Sequence, residues 1–169
     1  MIILMILLSS TILAKKENVC DEVIPKLYIG GTKSLKYVLK NRLVDRVVSF
    51  GELRGCYHKT NMSIKILKFD MKDSLCTNIL YKFDRTYRFI ERSHKGVLIH
   101  CAKGHSRSAS IVIAYLMKKY SIGYSHSYAY LKKIRPTICP NKSFVIQLKN
   151  YGYSLCKKRK IDRRKLPKS

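Results

Sequence analysis

Acidic side chains are scarce in this sequence of 169 residues: 10 Asp and Glu stand against 35 Lys and Arg, a formal net charge of +25. So large an imbalance attracts polyanions, anionic substrates and anionic surfaces, and makes a phosphate-bearing partner the first expectation, while saying nothing about fold. Cys-x-x-Cys pairs are missing too. The six cysteines, Cys20, Cys56, Cys76, Cys101, Cys139 and Cys156, are scattered, with no Cys/His cluster at metal-ligand spacing. That argues against a zinc site, and a chain of this length needs no disulfide framework. Neither an internal repeat nor a low-complexity linker is present. No apolar run reaches the roughly 20 residues of a membrane-spanning helix. The uncharged apolar segment of residues 1–14 ends abruptly at Lys15 and Lys16. It lacks the positively charged start of a signal peptide, although Ala14 suits a cleavage site.

What is present is a globular composition, 46% hydrophobic and 27% charged, at a length suited to one domain. Three segments are expected: an apolar leader (residues 1–18), the domain proper (19–156) and a basic tail (157–169). The tail carries +7 of the total charge and leaves +18 on the rest, so it exaggerates the basic character without creating it. A charge run of this kind most often forms a solvated, disordered end; nuclear import or nucleic-acid contact is the sharper reading.

Strand and helix patterns alternate through the domain. Residues 23–29 read as a strand closed by Gly30 and Gly31, with Thr32 or Ser34 capping a short helix that ends at Leu39. Residues 44–50 and 63–69 are β-rich. Apolar positions recur at helical spacing over residues 78–92. Residues 97–99 are wholly apolar, as in a central strand buried on both faces, and residues 108–120 are apolar almost all round. Two further helices are expected at about 125–134 and 143–155. The alternation predicts an α/β fold with a mostly parallel sheet of about five strands flanked by helices.

The chemistry concentrates in residues 100–108, His-Cys-Ala-Lys-Gly-His-Ser-Arg-Ser, at the junction of a buried strand and a buried helix. Such a turn aims backbone N–H groups and a helix N-terminus into one concavity, a site for a tetrahedral anion. Gly104 permits the tight curvature. Arg107 offers a planar fork able to grip two phosphate oxygens. Cys101 lies at the base of that electropositive cradle, where a thiol ionises readily and becomes a nucleophile under bound phosphate.

His-Cys-x-x-Gly-x-x-Arg-Ser resembles the signature of the cysteine-dependent protein tyrosine phosphatases, and residues 23–155 are similar to their small dual-specificity branch. The matching features include Leu27 to Gly30, the Asp73-Ser74 pair, Phe89-Ile90, the run from Ala114 to Met117, Arg135, Pro140-Asn141 and Gln147-Leu148. The resemblance implies hydrolysis of phosphotyrosine and phosphoserine or phosphothreonine through a phosphocysteine intermediate, with no metal and no cofactor. It assigns Arg107 to the phosphoryl group, His100 to the acidity of the thiol, and Ser108 to release of the thiolate. Residues Ala102, Lys103, Gly104, His105, Ser106 and Arg107 are the expected substrate-binding set. The general acid is expected on the loop before the residue-78 helix, where Asp70 and Asp73 both stand. Alignment on Phe83, Phe89 and Ile90 selects Asp73. Lys103 stands where Ala is frequent, and the span between that helix and the residue-97 strand looks trimmed.

Phosphorylated proteins are therefore the expected substrates. A 5′ RNA phosphatase or triphosphatase is the alternative suited to the charge. A non-catalytic phosphoprotein-binding module is disfavoured by the presence of both Cys101 and Arg107. Cytoplasmic, and also nuclear, residence is expected, with secretion or membrane contact only if residues 1–14 act as a signal. His58, His94 and His126 are expected to be exposed, and Tyr124, Tyr128 and Tyr130 to be core rather than stacking platforms.

Overall fold

The structure, a computed structural model, describes residues 19–51 and 63–164, with side chains to residue 158. The apolar leader, Cys56, His58 and the last five residues of the tail lie outside the described residues. The elements run β1 (Cys20–Ile24), β2 (Leu27–Gly30), α1 (Thr32–Lys40), β3 (Arg46–Phe50), β4 (Lys65–Phe69), α2 (Leu80–Glu91), β5 (Val97–His100), α3 (Arg107–Tyr120), α4 (Tyr124–Ile134) and α5 (Lys142–Arg164).

The five strands form one sheet in the order β1-β2-β5-β3-β4. Only β1 is antiparallel to its neighbour; the other pairings are parallel. The sheet is thus the mostly parallel one expected. β5 lies at its centre, and all four of its residues are buried, which is why its sequence carries no polar alternation. Side chains alternate between the two faces. Val47 and Leu98 meet Leu35, Val38 and Leu39 of α1 on one side. Val48, Phe50, Val97 and Ile99 join the larger core around α3 on the other. Because α2, α4 and α5 all pack on α3, that helix is buried without a break from Ser108 to Met117. Each large apolar side chain so buried contributes roughly 1.5–3 kcal/mol.

Three local expectations are corrected. Residues 23–29 are not one strand: β1 and β2 form a hairpin that turns at Pro25 and Lys26. Pro25 has no N–H for a ladder, Lys26 takes the left-handed conformation (φ 68°), and the Lys26 N–H donates to Glu22 Oε1 at 2.8 Å. The start of α1 is capped by neither Thr32 nor Ser34. Gly31 occupies the cap position without a side-chain bond, and the Ser34 hydroxyl donates to the Val19 carbonyl instead. Finally, α5 does not stop at Leu155. Its buried stripe includes Phe144, Leu148, Tyr151 and Leu155, and the helix continues to Arg164. Lys and Arg are good helix formers, and no proline interrupts them before Pro167.

Tyr124 and Tyr128 stack at 5.8 Å between centroids, both packed against the core, while the Tyr130 hydroxyl donates to the Val23 carbonyl at 2.9 Å. Tyr124 and Tyr128 thus pack on the core as expected, whereas Tyr130 is exposed and only its hydroxyl is tied down. His94 and His126 are exposed. Among the described residues no helix is long and apolar enough to cross a membrane.

Candidate active site

β5 ends at His100 and α3 begins at Arg107, so the loop of residues 101–106 must turn from strand to helix in a few peptides. Gly104 makes the turn possible. It adopts φ +79°, and a Cβ there would stand 2.5 Å from the Gly30 carbonyl carbon. The same compact packing brings the Thr32 N–H of α1 to the Ala102 carbonyl at 3.1 Å.

Cys101 is buried at the base of this loop. The Gly104 N–H donates to its sulfur at 3.2 Å, and the Ser108 hydroxyl lies 3.3 Å from it. Burial alone raises the thiol pKa. The Ser108 hydroxyl, the Ser108 and Gly104 amides and the Arg107 charge together outweigh burial, and the pKa falls below the ordinary 9.0. Arg107 Nη1 donates to the Phe50 carbonyl at 3.3 Å and the Met71 carbonyl at 3.0 Å, fixing the guanidinium to the ends of the neighbouring strands. Its Nε is buried with no hydrogen-bond partner among the described residues, and Asp73 Oδ2, at 3.9 Å, is too distant to serve as one. A donor is thus left for an incoming oxygen.

Asp73 is brought to the loop and Asp70 is not. Asp73 Oδ1 accepts the Ser106 hydroxyl at 2.9 Å and Asn141 Nδ2–H at 2.7 Å. Asp70 is exposed beyond the end of β4. Within the loop, Lys103 and Ala102 are exposed, Gly104 and Ser106 buried, and His105 half-buried. His100 is buried, and burial drives its imidazole pKa down to about 4, with the Cys101 backbone offsetting only part. Neither ring nitrogen finds a hydrogen-bond partner among the described residues. The ring is therefore neutral at pH 7 and lends the thiol no positive charge. Among the described residues no three of His, Cys, Asp and Glu converge as a metal site.

Two residues that sequence reasoning quoted without assigning a role are tied to this loop. Asn141 donates its backbone N–H to Ser106 Oγ at 3.1 Å and its side chain to Asp73, while its Oδ1 accepts the Phe144 N–H at 2.9 Å as the cap of α5. Arg135, directly after α4, donates to the Lys103 and Gly104 carbonyls and to Asp21 on β1. Asp21, acidic in a sequence where acids are rare, was the available signal for that pair.

A cysteine, an arginine with an unfilled donor and a carboxylate around one strand-to-helix loop define a phosphate-handling site. Residues 27–154 match the dual specificity phosphatase catalytic domain, and the chain belongs to that family. It is 39% identical over 148 residues to a probable dual specificity protein phosphatase of Dictyostelium discoideum, an alignment covering 84% of this chain and 36% of that protein. A second probable dual specificity protein phosphatase from the same organism is 34% identical over 154 residues, covering 86% of this chain and 70% of the relative. The chain thus spans about a third of the length of the first relative. The crystal structure of human DUSP28 shares the fold, with a TM-score of 0.74 at 23% identity, covering 82% of this chain and 96% of that one.

Proposed function

We propose that this chain is a phosphatase that removes phosphate from phosphotyrosine and from phosphoserine or phosphothreonine in proteins through a cysteinyl-phosphate intermediate. The observation that carries the reading is the Cys101 sulfur, almost wholly buried yet held more acidic than a free thiol by Ser108, Gly104 and Arg107. In the first step the Cys101 thiolate attacks phosphorus, and the bond to the leaving oxygen breaks as Asp73 supplies that oxygen with a proton. Arg107 and the loop residues 102–106 bind the phosphoryl oxygens, with the start of α3 adding its N-terminal dipole. In the second step water attacks the phosphocysteine, the Asp73 carboxylate takes the water's proton, and the departing thiolate is received by the Ser108 hydroxyl. His100 remains neutral beneath the thiol.

The basic surface supports a preference for substrates with a second phosphate near the first, acting through encounter and flanking contacts. A reducing cytoplasm, or the nucleus, suits a catalytic thiolate. Cell fractionation that recovered the chain outside the cell would overturn that placement.

The deciding experiment is a panel of a phosphotyrosine peptide, a phosphothreonine peptide and triphosphate-ended RNA, run with the intact chain and with Cys101→Ser. Both peptides should be hydrolysed in excess chelator, and Cys101→Ser should be inactive. A kcat/KM for RNA ends tenfold above that of the better peptide would sink the protein-phosphatase reading while leaving the cysteine chemistry intact.

A further inference from the structure

We propose that Arg135, paired with Asp21, is a positioning residue that holds the phosphate-binding loop with its peptide N–H groups turned toward Cys101. The inference rests on the phosphatase reading of the same loop and concerns how its shape is kept. Arg135 is only 3% exposed. Its Nη1–H donates to Asp21 Oδ2 at 2.6 Å, Nε–H to the Gly104 carbonyl at 3.2 Å and Nη2–H to the Lys103 carbonyl at 3.3 Å. One planar group therefore links β1 to two successive carbonyls of the loop.

A trans peptide points its carbonyl and its N–H in opposite directions. Holding the Lys103 oxygen on Arg135 turns the Gly104 N–H the other way, where it donates to Cys101 Sγ at 3.2 Å. Holding the Gly104 oxygen likewise turns the His105 N–H away from Arg135. The loop needs such a restraint because Gly104, the residue that permits its curvature at φ +79°, is also the residue freest to let the flanking peptides flip. A flipped peptide would set a carbonyl oxygen against the thiolate and the phosphate. A buried ion pair is a weak source of stability compared with an apolar replacement, so the value of this one is positional.

The charged and titratable groups around the thiol are His100 on β5, Arg107 on α3, Asp73 on the loop after β4, and Lys103 and His105 in the loop itself. Beside Arg135 on β1 stand Asp21 and Cys20. Burial, with help from Asp21, pushes the Cys20 thiol up to about 12, so it stays protonated while Cys101 is titrated.

The test compares Arg135→Lys, which keeps a cation for Asp21 but loses the fork, with Arg135→Met and Asp21→Asn. Alkylation of Cys101 by iodoacetamide is followed against pH on the Cys101 peptide by mass spectrometry. Tungstate affinity is read from protection against that alkylation. For Arg135→Lys, folded by near-ultraviolet circular dichroism, the alkylation midpoint should rise by about one pH unit, the effect of losing a hydrogen bond to the thiolate. Tungstate binding should weaken about tenfold, as expected for a disordered oxyanion site. Arg135→Met should do the same or more, and Asp21→Asn should shift both measurements in the same direction by less. Wild-type midpoint and affinity in whichever of the three variants fold, with only a lower melting temperature, would overturn the proposal and leave Arg135 a structural residue. Neither measurement uses turnover, so a chain inactive on phosphopeptides would defeat the functional reading and still leave this test decisive.

Discussion

Two carboxylates three residues apart illustrate what a single residue's neighbours decide. Nothing local distinguishes Asp70 from Asp73, and the sequence separated them only through alignment on helix landmarks. In the folded chain the distinction is physical: Asp73 is held by Ser106 and Asn141, which lie 33 and 68 residues away. Asp73→Asn should lower kcat by about 10²–10⁴ for phosphates with poor leaving groups, the range for loss of a positioned general acid, and by much less for activated aryl phosphates. Asp70→Asn should stay near wild type in the same steady-state assays; a larger loss there would move the acid by three residues. His100 carries a second residue-scale consequence. Its imidazole has a pKa of about 4 when folded, against the ordinary 6.5, so the unfolded chain binds the proton first. Stability should be complete above pH 6.5 and decline as pH falls toward 4, by as much as about 3 kcal/mol at 1.36 kcal/mol per pKa unit. Denaturant midpoints measured across that window check this, and His100→Asn should flatten it.

At the level of elements, the loop between β5 and α3 depends on a glycine that no other residue type replaces. Gly104→Ala would combine a positive φ with a Cβ only 2.5 Å from the Gly30 backbone. A destabilisation of about 1–3 kcal/mol is expected for the backbone conformation alone. Displacement of the loop should also carry the Cys101 pKa back toward that of a free thiol, checked by urea unfolding and thiol titration. The turn before β5 depends on a carboxylate in a similar way. Burial of Asp45 opposes ionisation, but the Ser93 hydroxyl and the His94, Lys95 and Gly96 amides outweigh it and bring the pKa to about 2. That contribution is present above pH 4 and is lost only as pH falls toward 2, below the His100 window. β5 and α3 were legible because burial on all sides leaves an uninterrupted apolar run. The β1–β2 hairpin was not, since its two apolar halves read as one strand across Pro25. The Arg135 contact with Gly104 spans 31 residues, and no periodicity reports a distance of that kind.

At the scale of the whole molecule, most of the acids among the described residues are committed to internal contacts. Asp21 pairs with Arg135, Asp84 with Lys118 and Glu91 with Lys119, while Asp45 closes a turn and Asp73 joins the loop. Among the described residues most lysines stand exposed, in a sequence whose net charge is +25. A doubly phosphorylated peptide should outpace its singly phosphorylated counterpart in kcat/KM at low salt. The advantage should shrink as salt rises, because exposed charges are screened beyond about 8 Å at physiological ionic strength. An advantage independent of salt would point to a specific pocket instead. The sign and size of this field were open to arithmetic on the sequence, but which acids were already spent was not.

The position of β5 has a consequence for the order in which the molecule is assembled. It is the last of the five described strands and the middle strand of the sheet, and β2 and β3 are joined only through it. The β1–β2 and β3–β4 pairs can form early, but no ladder joins one pair to the other until residues 97–100 slide between them. That insertion delivers Cys101 to the strand's end at the moment the sheet closes. A partly folded chain therefore carries no premature nucleophile cradle, and during refolding the regain of turnover should coincide with completion of native tertiary structure.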